Sequence, residues 1–272
     1  MPKVRLDVLL VERGLVESRS LAQRLVMAGQ VRVNDQVFLK PASMVADDAV
    51  LKIDSGPKYV SRGGEKLAAA LKSFPVEVAG KICADVGAST GGFTDCLLQH
   101  GVRKVYTIDV GHGILHWKLR QDPRVVVMER TNARHLIEMP EAIELVTVDA
   151  SFISLKVLLP VILGWLAPGA EVIALIKPQF EAGKAAVARG EGVIRDPALH
   201  REILADILTY SEQQGFSVKG LIRSPLLGPK GNSEFLAWLG YPRLLQSDLA
   251  DLINAAAPAE TAGATNVEQA FE

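Results

Sequence analysis

Residues 82–98 read ICADVGASTGGFTDCLL. The first five have the composition of a buried strand. A turn follows, Gly87-Ala-Ser-Thr-Gly91-Gly92, and then a helix. About 20 residues further on, a second short strand, 105–108, ends in Asp109. An acid at the tip of the second strand of such a unit can grip the two hydroxyls of a ribose. The glycines let the backbone of the first turn approach the rest of the nucleoside. The stretch therefore predicts a site for an adenosine-type cofactor. Gly87, Ser89, Thr90, Gly91 and Gly92 form its turn, and Asp109 holds the ribose.

The turn is not G-x-G-x-x-G, so the dinucleotide fingerprint fails. Asp85 stands just before the first glycine. A carboxylate there repels a pyrophosphate and welcomes an amino group, directly or through water. This favours S-adenosylmethionine, with its methionine ammonium, over NAD. Asn132, just past the third strand, is placed to read the adenine edge. Glycines alone would also serve a plain strand–helix turn. The acids at 85 and 109 tell against that simpler reading.

Outward from this stretch, residues 65–253 alternate strands and helices. Candidate strands are 82–86, 105–108, 125–128, 145–148, 172–176, 218–222 and 235–239; helical stretches include 155–166 and 199–213. The alternation predicts an α/β fold with a parallel, Rossmann-like sheet covered by helices on both faces. The last two strands are joined through Pro225, Gly228, Pro229 and Gly231 only. That short connection predicts an antiparallel final strand, as in class I methyltransferases.

In open α/β sheets, ligands bind at the carboxyl ends of the parallel strands. Asp149 and Lys177 each follow a strand and so face the crevice of Gly87. An antiparallel last strand starts at that same edge and brings in Glu234. Lys66 lies on the helix before the first strand and can lean over the site. Such a set suits deprotonation of an alcohol. A lysine acts as base when burial or a second cation lowers its pKa, against the opposing pull of nearby carboxylates. The deprotonated oxygen then attacks the sulfonium methyl in line, so alignment carries much of the rate. Each residue alone could equally be an ordinary ion pair. The argument rests on the four positions together.

The first 57 residues read as a separate small α+β unit. Leu6, Leu9 and Leu10 have helical spacing that Gly14 can end; Ser18 is placed to cap a second helix, and Gly29 to end it. Val31, Val33 and Val37 alternate around an Asn34-Asp35 turn, and 50–53 is another short strand. Residues 1–40 hold seven basic and four acidic side chains, a surplus of three. Arg5, Arg19, Arg24 and Arg32 are candidates for contacting an RNA backbone. By charge alone they could equally form a solvated helix face. Residues 58–64 read as a linker, and 254–272, rich in Ala, Thr, Glu and Gly, as a disordered tail.

Composition narrows the class. The chain has 272 residues, 49% hydrophobic, and a net charge of −1. Any nucleic-acid contact must therefore come from a local patch. Two cysteines, Cys83 and Cys96, exclude a disulfide scaffold and a cysteine-rich zinc module. No signal core or run of 18 apolar residues is present, so a cytoplasmic protein without a membrane span is expected. His112 and His116 are spaced i, i+4, but no third ligand is apparent and no metal is expected. Cys83, Trp117 and Trp165 read as packing residues. The stretch 180–195 reads as a loop that could contact RNA or close the pocket.

Several stretches together resemble one family. They are SRGGEKL at 61–67, DVGASTGGFTD at 85–95, IDVGHG at 108–113, VDASFISL at 148–155, IKPQFEAGK at 176–184 and GNSEF at 231–235. They are similar to the TlyA family of hemolysin-like ribosomal RNA 2′-O-methyltransferases, related to the FtsJ type. Residues 5–34 are similar to the S4-like RNA-binding domain that this family carries at its N-terminus. The resemblance spans about residues 5–245. It implies S-adenosylmethionine as cofactor and a Lys–Asp–Lys–Glu tetrad falling on Lys66, Asp149, Lys177 and Glu234. It also implies a cytidine 2′-hydroxyl of rRNA, within a ribosomal subunit or its precursor, as acceptor. The turn has GASTGG where the FtsJ type has GAAPGG, a form that TlyA-like sequences share. The short start before Arg5 leans toward the subgroup that modifies the large subunit alone; the long tail leaves this open. A monomer is expected. Two other classes compete: a non-enzymatic RNA-binding or ribosome-assembly factor, and a pore-forming hemolysin. The intact charged set argues against the first, and the lack of a membrane segment against the second.

Overall fold

The computed structural model describes residues 2–54, 56–182, 192–244 and 248–258. The chain divides into two units, Met1–Lys58 and Tyr59–Glu272.

In the first unit, strand β1 (Lys3–Arg5) leads into helices α1 (Leu6–Glu12) and α2 (Arg19–Met27). Short strands β2 (Val31–Val33), β3 (Gln36–Val37), β4 (Met44–Ala46) and β5 (Leu51–Ile53) follow. β3, β2 and β5 form an antiparallel sheet, and β1 pairs with β4. The expected cap is present: the Leu21 N–H donates to Ser18 Oγ at 3.3 Å, which satisfies a donor otherwise orphaned at the helix start. Asn34 and Asp35 both take positive φ, 47° and 66°, as a two-residue hairpin turn demands. Leu6, Leu9, Leu10, Ala22, Val26 and Val31 close the core.

The second unit begins with α3 (Gly63–Ser73), followed by β6 (Ile82–Val86), α4 (Gly92–Gln99), β7 (Lys104–Ile108), α5 (Trp117–Arg120) and β8 (Val125–Met128). Then come β9 (Ile143–Val148), α6 (Leu155–Leu163), β10 (Leu166–Ile176), α7 (Pro178–Glu181) and α8 (Pro197–Gln213). β11 (Ser217–Arg223), β12 (Phe235–Gly240) and α9 (Leu249–Ala256) complete it. The seven strands lie in the order β11-β12-β10-β9-β6-β7-β8. β12 runs antiparallel to both neighbours, and the pairings of β6, β7, β8, β9 and β10 with one another are parallel. Both faces are covered, by two separate apolar clusters. The chain leaves β6 toward β7 and later returns to β9 on its other side. The gap between β6 and β9 is thus the topological switch point, where open sheets of this kind bind ligands.

Five expectations are corrected. Gly63 and Gly64, read as linker, form the first turn of α3. That turn lies close against α4: a Cβ on Gly92 would sit 2.8 Å from the Gly64 nitrogen and 3.1 Å from the Gly63 Cα. The glycines serve close approach, not flexibility. The helix expected to end at 166 stops at Leu163, and β10 is six residues longer at its start than periodicity indicated. α9 carries order to Ala256, past the expected tail boundary, because Ile253, Ala256 and Ala257 pack into the core. Residues 259–272 of that tail, and 183–191 of the expected loop, lie outside the described residues. Trp117 is 66% exposed and stacks on His116, whereas Trp165 and Cys83 are core residues as expected.

Candidate active site

The turn after β6 is built by backbone geometry. Gly87 has φ +80°, and a Cβ there would lie 2.8 Å from the Asp149 carbonyl oxygen. Only glycine lets β6 and β9 end this close together. Ser89, at φ 50°, turns its N–H to Asp109 Oδ2 at 2.8 Å, and the Gly111 N–H donates to Oδ1 at 2.7 Å. The carboxylate of Asp109 is thereby fixed at the tip of β7.

Asp85 lies beneath this turn and is fully buried. Its Oδ2 accepts from the Thr94 hydroxyl at 2.6 Å and its Oδ1 from the Thr147 hydroxyl at 3.0 Å. Burial pushes its pKa up to about 6; the two threonine hydroxyls oppose the rise, and Asp149 adds to it. Both oxygens are already engaged, so Asp85 props the turn from below and lines neither of the cavities described next. Gly91, at φ +96°, is the residue before α4 and packs on Leu115 and Leu119 rather than facing a cavity.

Two cavities meet at the switch point. The first, of about 280 Å³, is lined by Gly87, Ser89, Asp109, Asn132 and Asp149, with Val86, Ile108, Ala133 and Leu158 among its apolar walls. A carboxylate at one end and apolar walls beside it fit an adenosine with its ribose. The Asn132 Oδ1 accepts from the Arg134 N–H at 3.1 Å, which fixes the side chain at the rim. The glycine cradle and the acid together fit S-adenosylmethionine.

The second cavity, of about 510 Å³, shares Gly87, Ser89, Asp149 and Ser151 with the first. Thr90 and Gly92 line it, and so do Lys66, Asp149, Lys177 and Glu234. The four charged residues form two pairs. Lys66 Nζ lies 2.6 Å from Glu234 Oε2, with side chains 12% and 0% exposed. Lys177 Nζ lies 2.6 Å from Asp149 Oδ1 and donates to Ser151 Oγ at 3.0 Å and to the Asp149 carbonyl at 3.3 Å. The Phe180 ring centroid is 5.9 Å from the same Nζ. Oε1 of Glu234 is buried without a hydrogen-bond partner among the described residues. An unsatisfied buried acceptor at a cavity wall is costly unless a donor arrives.

Sequence reasoning did not single out Ser61, Arg62, Ser151 or Gln179, and it read Phe180 as the start of a loop where the structure has it in α7; all five are at the wall of the second cavity. Ser151 stands three residues past the end of β9, and Gln179 and Phe180 come two and three residues after Lys177. Strand-tip position was therefore a usable signal for those three. Thr94 and Thr147, the partners of Asp85, gave no signal, because threonine on a strand or helix is unremarkable.

In the first unit, Arg5 and Arg19 both bind the buried Asp7, at 3.0 and 2.9 Å. Arg32 pairs with Asp54 at 2.7 Å, and Arg24 is exposed on α2. His112 pairs with Glu129 at 2.9 Å, and His116 caps α5. No described helix is long and apolar enough to cross a membrane.

Known families match both units of the chain. Residues 59–241 match the FtsJ-like methyltransferase family, and residues 4–51 match the S4 domain. The chain is 46% identical over 243 residues to the 16S/23S rRNA (cytidine-2′-O)-methyltransferase TlyA of Mycobacterium tuberculosis, covering 87% of this chain and 90% of that protein. It is 50% identical over 247 residues to YqxC of Bacillus subtilis, named as a candidate rRNA methyltransferase, covering 88% and 86%. A solved structure of a candidate hemolysin from Streptococcus thermophilus superposes with a TM-score of 0.69 at 43% identity, covering 93% of this chain and 95% of that one. An S4 domain followed by a methyltransferase sheet, with close relatives along nearly the whole length, identifies the chain as a member of the TlyA family of FtsJ-like, S-adenosylmethionine-dependent methyltransferases.

Proposed function

We propose that this enzyme methylates the 2′-hydroxyl of a cytidine in ribosomal RNA, with Lys66, Asp149, Lys177 and Glu234 preparing the hydroxyl. The observation that carries the reading is the convergence of two Lys–carboxylate pairs in one cavity that shares a wall with the cofactor cavity. The substrate follows from relatives that are named for this reaction and align over most of the chain. The ribosomal substrate implies a cytoplasmic reaction, with large-subunit rRNA as the first candidate and a monomer as the acting species.

S-adenosylmethionine supplies an electrophilic methyl group. Asp109 binds the ribose, Asn132 the adenine edge, and Gly87, Ser89 and Ala88 give the backbone of the cradle. Asp85 stiffens the turn beneath them. The 2′-hydroxyl would pass its proton to Nζ of Lys177 as its oxygen takes the methyl carbon and the carbon–sulfur bond of the sulfonium breaks, with the neutral thioether S-adenosylhomocysteine leaving. Asp149 and Ser151 orient that Nζ. Glu234 Oε1 accepts from the sugar, and Lys66 holds Glu234 in place. Water exclusion and alignment supply the remaining rate. The first unit, through Arg5, Arg19, Arg24 and Arg32, holds the RNA backbone while the second modifies it.

The test is methyl transfer from labelled S-adenosylmethionine to purified 30S and 50S particles that lack the modification, with mass mapping of the RNA. Ribose methylation of a cytidine that disappears in Lys177→Ala is the expected result. Cofactor binding without transfer to any particle would replace the reading by a non-enzymatic assembly factor. Vesicle leakage by the purified protein would favour a hemolysin.

A further inference from the structure

We infer that Asp7 is a positioning residue for RNA binding: it holds Arg5 and Arg19 together as a preformed guanidinium pair for one stretch of phosphate backbone. The inference rests on the proposal that the basic residues of the first unit contact rRNA. The carboxylate of Asp7 is fully buried, yet it receives four donors. Arg5 Nε reaches Oδ1 at 3.0 Å; Arg5 Nη2, Arg19 Nε and Gln23 Nε2 reach Oδ2 at 3.0, 2.9 and 2.9 Å. Arg5 precedes α1 and Arg19 opens α2, so one acid ties the starts of both helices.

The two arginines are anchored but not covered. Their side chains remain 41% and 54% exposed. A guanidinium carries five N–H donors in a rigid fork. Asp7 takes two from Arg5 and one from Arg19, so most of the fork of Arg19 and part of that of Arg5 point elsewhere. Two cations against one anion also leave a net positive charge at the surface. The bond from Arg5 foremost, with those from Gln23 and Arg19, holds the Asp7 carboxyl well below the usual carboxylate range, against the effect of burial. The anion therefore persists at any working pH. A flexible arginine loses side-chain freedom when it binds phosphate. One already fixed has lost it on folding.

The inference gives a sign opposite to that of simple charge. Asp7→Asn removes a negative charge from a surface that meets RNA. Counting charges, binding should tighten, and its salt dependence should steepen by about 0.9 in slope. Loss of positioning instead predicts weaker binding, by roughly tenfold, or about 1.4 kcal/mol, the cost of ordering two long side chains on binding.

The experiment is equilibrium binding of the full chain to purified 50S particles lacking the ribose methylation, with S-adenosylhomocysteine present. Four proteins form a cycle: wild type, Asp7→Asn, Arg5→Ala/Arg19→Ala, and the triple variant. The expected result is a tenfold loss for Asp7→Asn and no further loss when that change is added to the double alanine variant. A purely structural role would subtract affinity in both backgrounds and would overturn the inference. Tighter binding by Asp7→Asn would do the same. If the double alanine variant binds as wild type, the underlying RNA-contact reading fails instead. Should Asp7→Asn not fold, as judged by its thermal transition, Gln23→Met removes one anchor without changing charge. A loss of roughly threefold is then expected, since one of several restraints on the pair is gone, and unchanged binding would refute the positioning role.

Discussion

Asp85→Asn should make the fold more stable at neutral pH while weakening cofactor binding. Asp85 is fully buried, and burial raises its pKa from the ordinary 3.8 to about 6. At 1.36 kcal/mol per pH unit, that rise means the ionised side chain costs the folded state about 3 kcal/mol. The sign follows from linkage. An acid whose folded pKa lies above its unfolded one carries no penalty below about pH 4, where it is protonated in both states. Stability falls as pH rises from 4 to about 6, and the full cost stands above that. Asparagine is nearly isosteric but donates where the carboxylate accepts. One of the hydroxyls of Thr94 and Thr147, which now donate at 2.6 and 3.0 Å, must therefore turn to accept. That rearrangement costs about 1 kcal/mol. The net gain at pH 7.5 is about 2 kcal/mol, or a rise of roughly 4–8 °C in Tm for a unit of this size. The assay is thermal denaturation of both proteins from pH 4 to pH 8, with calorimetric titration of S-adenosylmethionine at pH 7.5. The gap in Tm should close toward pH 4. A variant less stable than wild type at pH 7.5, or a gap independent of pH, would refute the reasoning and make the threonine hydroxyls the dominant influence on Asp85.

Lys177→Ala should lower single-turnover methyl transfer by about 10²–10⁴-fold, the usual contribution of a positioned proton acceptor, and leave the Kd for S-adenosylmethionine within about threefold, since its partner Asp149 is 23% exposed and tolerates the loss. Lys66→Ala should instead destabilise the protein by about 3–5 kcal/mol, seen by denaturant unfolding, because Glu234 is left buried and unpaired. Gly228→Ala places a Cβ 2.1 Å from Glu234 Oε1; kcat should fall about tenfold with little change in KM, as expected when only an interaction made at the reacting group is disturbed. Asp109→Ala should weaken S-adenosylmethionine binding by roughly 10–100-fold through loss of charge-assisted hydrogen bonds, measured by calorimetry.

Strand identity was legible because fully buried strands show as short apolar runs. The runs at 82–86 and 125–128 match β6 and β8 at both ends, and the antiparallel β12 followed from a connection too short for a crossover. β1 and β4 were not legible: each has three residues, and each is a strand only because it meets the other, about 40 positions away in sequence. β10 was read short because Pro168 and Gly169, which look like a turn, lie within it. The gathering of the four proposed charged residues in one cavity was legible from a rule of place for Asp149, Lys177 and Glu234, which flank strand ends, while Lys66 reaches the cavity from α3. What the rule could not give is their pairing. Position alone would let either lysine meet either acid, and the structure selects Lys66 with Glu234 and Lys177 with Asp149. That choice depends on where α3 leans, which the contact between Gly92 and the first turn of α3 fixes. Asp85 was expected to meet the cofactor and is instead buried beneath the turn, a placement the sequence did not signal because its partners Thr94 and Thr147 come from two other elements.

The pairing also explains why one acid serves both cavities. Asp149 leaves β9 at the switch point, where its carbonyl oxygen touches the Gly87 position and its carboxylate reaches Lys177. Any shift of the cofactor turn against β9 therefore moves the residue that orients Lys177. Gly87 thus does more than admit the cofactor. A side chain there would push on the Asp149 backbone and so disturb Lys177, the proposed proton acceptor, from a distance. On the proposed mechanism, cofactor seating and hydroxyl activation are coupled here, because a Cβ at position 87 would lie 2.8 Å from the Asp149 carbonyl oxygen, and Gly87→Ala should impair both together where Asp109→Ala impairs the first and Lys177→Ala the second.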